Sequence, residues 1–369
     1  MQHTFDIPTS INNMKPETIG LEEGPICPLP FTHNEVIVMG HGSGGKMSHD
    51  LIKKYFYSYF ENELLLAGND AAVINIGNAT LAFSTDSHVV KPLFFPGGDI
   101  GRLAVCGTVN DVSMMGAVPL YLSAGFILEE GFEIITLSKI LESMRTVAEE
   151  AGIQIVTGDT KVVQKNQADG IYINTTGVGL LYPGSNITGS RAQPGDAVIL
   201  SGSIGEHGLA VLEARGELGF SSGIQSDVAP LNRLVRALID AVPKDAVHVL
   251  RDPTRGGLAT SLNEIAQQSR MGIIIDENKV TIQPAVRSVC ELLGFDPMYV
   301  ANEGKLICIV EEEFAHKALM AMHNTRYGEN AAIIGYVTNQ PQGRVLMTTT
   351  MGSTRILDML SGEMLPRIC

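Results

Sequence analysis

The 369-residue chain contains no tryptophan and only five cysteines, at positions 27, 106, 290, 308 and 369. None of them forms a Cys-x-x-Cys pair and their number is odd, which argues against a zinc site and against a closed disulfide framework. Positive charge is also short. Lys and Arg number 26 against 40 Asp and Glu, a formal net charge of −14. So acidic a chain is a poor partner for nucleic acid or an anionic membrane surface, and an anionic ligand must be held by local dipoles and metal ions. No apolar run approaches the ~18 residues of a membrane span, and the proline-rich beginning lacks a signal-peptide core. These absences predict a soluble, reduced, cytoplasmic protein.

What the chain does have is apolar bulk and glycine: 44% of its residues are hydrophobic and 39 are Gly. That is enough for a sizeable core, and the length suggests two or possibly three domains. Glycine spread without low-complexity runs points to tight turns and to places where backbone approaches a ligand. Residues 1–34, with Pro8, Pro16, Pro25, Pro28 and Pro30, read as an extended arm. The apolar run 36–39 predicts a strand leading into His41-Gly-Ser-Gly-Gly-Lys46, and a helical pattern follows with Leu51, Tyr55 and Tyr59 on one face. Beyond it strands are predicted at 71–76, 81–85, 121–128, 153–157 and 171–182, with helices at 99–115 and 134–151. The turn-rich stretch 183–195 separates a domain at 35–184 from a second at 195–350, and a tail covers 351–369. The second domain repeats the style, with strands near 197–201, 246–250, 272–275, 306–310, 331–337 and 344–349. Helices and strands do not alternate one for one, which favours an α+β class of two α/β sandwiches of the split βαβ kind over a doubly wound sheet.

Three groups of residues could carry chemistry. Gly40-x-x-x-x-Gly45-Lys46 nearly matches a phosphate-cradling loop, but Met47 stands where a Ser or Thr should reach magnesium. A structural turn is the competing reading, and a true P-loop NTPase is disfavoured. Asp86, Asp159 and Asp252 follow predicted strands, while Asp70 and Asp111 lie in Gly-flanked or polar segments. Carboxylates at strand ends tend to converge at one edge, where Mg²⁺ can bridge them to nucleotide phosphates; capping of helices and turns is the alternative for each one. Cys369, the last residue, could reach a pocket as a nucleophile on a flexible leash, with a cation such as Arg367 or a pocket Lys to activate it. A frayed end is the plainer reading. Lys161 and Glu303 are further ionisable candidates, with surface solvation as the default for either.

Taken together, several of these segments resemble a known family. They are His41-Gly-Ser-Gly-Gly, Ser84-Thr-Asp-Ser, Phe94-Phe-Pro-Gly-Gly, Gly107-Thr-Val-Asn-Asp-Val, Thr157-Gly-Asp-Thr-Lys-Val-Val, Arg251-Asp-Pro-Thr-Arg-Gly-Gly, Ala301-Asn-Glu-Gly-Lys and Pro366-Arg-Ile-Cys. The chain looks like the HypE hydrogenase maturation factors, carbamoyl dehydratases within the aminoimidazole ribonucleotide synthetase (PurM-like) superfamily. The likeness runs from about residue 38 to 369. It implies an N-terminal ATP-binding and dimerising domain, a ferredoxin-like C-terminal domain and a flexible tail. It implies a homodimer whose Cys369 thiol receives a carbamoyl group from the carbamoyltransferase HypF. ATP then drives dehydration to a thiocyanate, and the cyanide passes to iron on a HypC–HypD complex, for [NiFe]-hydrogenase. By the same resemblance, Gly42, Ser43, Gly44, Gly45, Asn110, Asp159 and Arg255 would bind the nucleotide. Asp70, Asp86, Asp111 and Asp252 would hold Mg²⁺, with Lys161 and Glu303 around the tail. Either could take the proton; a glutamate base suits the charge balance, with Lys161 neutralising an imidate phosphate. Another ATP-using superfamily member, such as aminoimidazole ribonucleotide synthetase or thiamine monophosphate kinase, would explain the nucleotide site but not Cys369. Selenophosphate synthetase would want a Cys beside the Gly-rich loop, and none lies between 27 and 106. A non-catalytic maturation scaffold is the alternative from a different class.

Overall fold

In place of the strand expected at 36–39, Met39–Gly42 forms a 3-10 turn. Ser43 closes it by donating its N–H and its hydroxyl to the Gly40 carbonyl, at 3.3 and 2.8 Å. The Gly-rich loop therefore lacks the strand-to-helix setting of a P-loop. These observations come from a computed structural model that describes residues 37–216, 219, 221–360, 365 and 368. The arm at 1–34, Cys27, Arg367 and Cys369 lie outside the described residues. Met39–Cys369 forms one unit, and of the other unit, Met1–Val38, only Ile37 and Val38 are described.

Helix α1 (Lys46–Leu51) runs on through a π turn at Ile52–Phe56 into Tyr57–Phe60. Tyr55 and Tyr59 are exposed, so the apolar stripe predicted there faces solvent. Next come β1 (Ala72–Ile76) and β2 (Ala79–His88), helix α2 (Ile100–Met114), β3 (Ala117–Glu129), helix α3 (Ile134–Ala151), β4 (Gln154–Val163) and β5 (Ile171–Leu181). The strands form one sheet in the order β1-β2-β5-β3-β4, antiparallel except for the β3–β4 pair. Helix α2 starts where the Asp99 carboxylate accepts the N–H groups of Gly101 and Arg102 at 2.7 and 3.2 Å. Its contact with the sheet is very close: a Cβ on Gly179 would stand 2.4 Å from Val112 Cγ1. Almost every α2 residue is buried as a result.

Registered partners share a face of the sheet. Phe83 and Tyr121 both pair with Val178, Leu81 pairs with Leu180, and Ile127 pairs with Tyr172. Phe83, Tyr121, Ile127 and Leu180 are exposed. This face of the sheet is thus apolar and open, while α2 and α3 cover the other.

The second half contributes β6 (Ala197–Leu200), α4 (Glu206–Ala214), α5 (Asn232–Ala241), β7 (Val247–Arg251), α6 (Gly257–Ser269), β8 (Gly272–Asp276), α7 (Pro284–Leu293), β9 (Ile307–Val310), α8 (Glu312–His323), β10 (Ala332–Thr338), β11 (Val345–Thr348) and β12 (Thr354–Ile356). Seven strands form a mixed sheet, ordered β12-β11-β8-β10-β6-β9-β7, in which only β8 and β11 run parallel. Strand alternation sorts its core into two layers. Val198 and Leu200 join Leu258, Leu262 and Ile265 of α6. Ala197 and Ile199 join Leu234, Val235 and Leu238 of α5, with Ala318 and Met322 of α8. Among the described residues no helix is long and apolar enough to cross a membrane.

Asn110 joins the two halves. Buried in α2, it donates from Nδ2 to the Ala229 carbonyl at 3.0 Å and accepts the Leu231 N–H on Oδ1 at 2.8 Å.

Candidate active site

Four aspartates from four parts of the chain line one cleft. Asp70 stands just before β1, Asp86 lies within β2, Asp111 on α2, and Asp252 directly after β7. The cleft, about 340 Å³, is also lined by Gly44, Ser84, Arg251, Arg255, Glu264 and Glu303. Sheet pleating explains how β2 contributes. Ser84 and Asp86 are two residues apart and so point to the same side, toward α2. Ser84 Oγ donates to Asp111 Oδ2 at 2.7 Å. Gly107 leaves room beside them, since a Cβ there would sit 3.4 Å from Asp86 Oδ2.

Asp252 and Glu303 are buried and Asp70 and Asp111 partly so, while the Asp86 side chain is 43% exposed; burial dominates the charge of the first four. The Asp70 carboxyl is pushed up to about 6, chiefly by burial and further by Glu264, against the pull of Arg251. Burial likewise holds Asp111 and Asp252 well above the usual carboxylate range, Asp111 with repulsion from Asp252 and Asp252 with repulsion from Asp70. Glu303 is raised by burial and then by Asp252 and Asp86, and its Oε1 is buried without a hydrogen-bond partner. Arg251 is the internal countercharge: Nη1 lies 2.8 Å from Asp70 and 3.2 Å from Glu264. A site with more buried carboxylates than cations calls for further positive charge. All of its donors are oxygens, which fits Mg²⁺ better than a softer metal. As the side chains stand, no three His, Cys, Asp or Glu groups among the described residues are close enough together to enclose an ion.

Not every residue expected at the site joins this cleft. Gly44 lines it, and the Gly-rich loop is tethered beside it, with Arg255 donating to the Gly42 carbonyl and the Lys46 N–H donating to the Leu360 carbonyl at 2.9 Å. Gly45 must be glycine in this arrangement, because a Cβ would stand 2.2 Å from the Leu360 oxygen. Ser43 is spent on its own turn, donating to the Gly40 carbonyl. Asn110, expected to hold phosphate, has both ends of its amide committed to the 229–231 backbone instead. Asn110→Ala strands two buried backbone groups and is expected to cost about 3 kcal/mol. Urea unfolding checks this, and an unchanged midpoint would return Asn110 to ligand duty.

Asp159 and Lys161 also depart from expectation. The strand predicted to end at 157 continues to Val163, so Asp159 lies within β4 rather than beyond it. In register, Asp159 pairs with Gly125 and Lys161 with Ile127, which places both on the open face, across the sheet from Asp86. There they bind each other at 2.6 Å, with side chains about two-thirds exposed. Lys161 therefore does not sit with Glu303 in this chain.

Against known families, residues 68–181 match the N-terminal domain of the AIR synthase related proteins and residues 193–348 match their C-terminal domain. The carbamoyl dehydratase HypE of Cupriavidus necator is 52% identical over 334 residues, covering 90% of this chain and 95% of that protein. The chain belongs to the HypE family of carbamoyl dehydratases. A crystal structure of a HypE–HypF complex superposes with a TM-score of 0.80 at 51% identity, covering 84% of this chain and 99% of that one. A HypE structure in complex with ATP gives 0.75 at 50% identity, covering 90% of this chain and 100% of the other.

Three residues beside the cleft stand out in the structure and hardly at all in the sequence. Arg251 was visible only as the neighbour of Asp252, and its burial among carboxylates depends on both halves of the chain. Glu264 sits on α6, where nothing local separates it from a solvated helix carboxylate. Asp227 accepts the N–H groups of Glu303 and Gly304 at 3.1 and 3.3 Å and pairs with Lys305 at 3.2 Å. It thereby fixes the backbone that aims Glu303 at the cleft.

Proposed function

We propose that this HypE-family chain carries a carbamoyl group on Cys369 and dehydrates it to a thiocyanate with ATP. The observation that supports this most directly is the meeting of Asp70, Asp86, Asp111 and Asp252 with Glu303 in one partly dry cleft. Magnesium held by those aspartates would supply positive charge against the nucleotide phosphates. The carbamoyl oxygen attacks the γ-phosphorus, the bond to ADP breaks, and one N–H proton leaves, giving an imidate phosphate. Loss of the second nitrogen proton then expels phosphate and leaves S–C≡N, so one ATP is used per water removed. Glu303 is suited to take a proton once added positive charge lowers its raised pKa, and Arg255 faces the same cleft to offset developing negative charge.

HypF as donor of the carbamoyl group is supported by the crystal structure of a relative with HypF. The HypC–HypD iron scaffold as acceptor of cyanide follows from the family resemblance. A homodimer is supported by the open apolar face around Phe83, Tyr121 and Ile127, and Asp159 and Lys161 would then lie at the subunit interface. Mass spectrometry of the C-terminal peptide, after incubation with the transferase, carbamoyl phosphate and MgATP, tests the central step. The expected result is gain of one carbamoyl group on Cys369 and then loss of one water, with one ADP per water. Carbamoylation at any other residue, or ADP formation independent of the carbamoyl group, would sink the proposal.

A further inference from the structure

Close to Glu303 lies a buried assembly that the chemistry above leaves unused. His207, near the start of α4, has no exposed surface. Its Nε2 is 2.6 Å from the carbonyl oxygen of Ile368, and its Nδ1 is 2.8 Å from Ser226 Oγ. A carbonyl only accepts, so Nε2 carries the ring proton. Ser226 Oγ already accepts the Val228 N–H at 3.2 Å, which leaves its own proton to donate to Nδ1 and hold that tautomer. Phe95 meets the ring edge-on at 5.4 Å and 87°. Burial lowers the imidazole pKa, against the opposing pull of Asp227 and the Ile368 carbonyl, so the ring is neutral.

Two residues near the chain end, Ile368 and Leu365, are seated beside this histidine. Ile368 is 4% exposed, within the apolar cluster that contains Val211, Val228 and Ala301. Leu365 lies over Gly208: a Cβ on that glycine would stand 3.1 Å from Leu365 Cδ1 and 2.7 Å from Val300 Cγ1. The Gly208 N–H in turn donates to the Ala301 carbonyl at 3.1 Å, which ties the start of α4 to the segment bearing Glu303.

We infer that His207 is a positioning residue, the donor of a clip that grips the Ile368 carbonyl and thereby sets where the reacting residue 369 begins. The gripped carbonyl carbon is the one bonded to the nitrogen of Cys369, so fixing it fixes the origin of the next side chain. Leu365 over Gly208 sets the approach, and Ser226 keeps the proton on the correct nitrogen. This rests on the reading of Cys369 as the carrier, and it adds the element that anchors the residue bonded to it.

The test compares full-length wild type, His207→Phe and His207→Gln by alkylation of Cys369 with iodoacetamide, followed by mass spectrometry. Phe keeps a ring and removes the donor, while Gln restores an N–H. Cys369 is expected to alkylate roughly tenfold faster in His207→Phe than in wild type, with His207→Gln returning most of the protection. On chains already carbamoylated, single-turnover dehydration should slow by a similar factor in His207→Phe while acceptance of the carbamoyl group is unchanged, a split that general loss of structure would not give. Equal alkylation of wild type and His207→Phe overturns the clip. Should His207→Phe lose its circular dichroism signal, Ser226→Ala decides, because it leaves the ring in place and releases its tautomer; alkylation at the wild-type rate there overturns the inference too. A wild-type chain that never gains a carbamoyl group refutes the carrier reading instead, and the alkylation comparison still judges the clip.

Discussion

Cys369→Ala folds and binds ATP but gains no carbamoyl group, whatever the excess of transferase and carbamoyl phosphate. The expectation comes from the state of the three other thiols among the described residues; Cys27 lies outside them, and Cys27→Ser in the same background controls for it. Cys106, Cys290 and Cys308 are buried. Burial raises all three, with the Cys290 thiol pushed up to about 11 and Cys106 and Cys308 higher still. A thiol is nucleophilic as thiolate, so none of them can substitute at neutral pH. Intact-mass measurement of the variant after the transfer reaction decides the matter. A carbamoyl adduct on Cys369→Ala would assign the carrier role to another residue.

The second large effect is expected for Asp252→Asn. This carboxylate is buried in the cleft, and its ionised form is disfavoured by burial and then by the charges of Asp70 and Asp86, against the pull of Arg251. Replacing it by a neutral amide removes one of the carboxylates proposed to hold magnesium and one source of repulsion together. ATP-driven dehydration is expected to fall about a hundredfold or more, the scale seen when one preorganised electrostatic partner is lost. Acceptance of the carbamoyl group is expected to persist, because under the proposed function that chemistry belongs to the transferase. Thermal stability without metal should not fall, and is expected to rise by up to about 2 kcal/mol as buried repulsion is relieved. Calorimetry and single-turnover assays on one preparation test both halves. A destabilised variant with unchanged turnover would place Asp252 in the scaffold.

Much of the fold was legible because its elements carry their own punctuation. Helix α3 was predicted at 134–151 and ends there, since Gly152 takes φ +75° and caps it. Three aspartates of the cleft, Asp70, Asp86 and Asp252, were legible because they adjoin or end strands with unambiguous apolar runs, whereas Asp111 sits on α2 and Asp159, picked by the same rule, lies elsewhere. The failures share a cause, which is that one-dimensional reading cannot see across the fold. Asn110 lies in a motif rich in plausible ligands, yet its amide is consumed by a backbone 119 residues away. Lys161 follows an Asp in a promising segment, yet one extra turn of strand pairing sets its side of the sheet. The strand expected at 36–39 had the right composition, but of its described residues Ile37 and Val38 form no strand and Met39 enters a 3-10 turn closed by the Ser43 hydroxyl.

The commitment of Asn110 to the 229–231 backbone has a consequence for how energy is spent during turnover. Asp86 and Asp111 belong to one sheet-and-helix layer and Asp252 to the other, so a hinge between the halves would reset their spacing in every cycle. A buried side chain bonded across the junction removes that freedom and leaves the carboxylates at one fixed spacing. The geometry of the cleft is then set once, when the chain folds, and no ordering of a whole layer has to be repeated at each turnover. Substitutions that loosen the Asn110 junction should therefore slow turnover even though they touch no carboxylate.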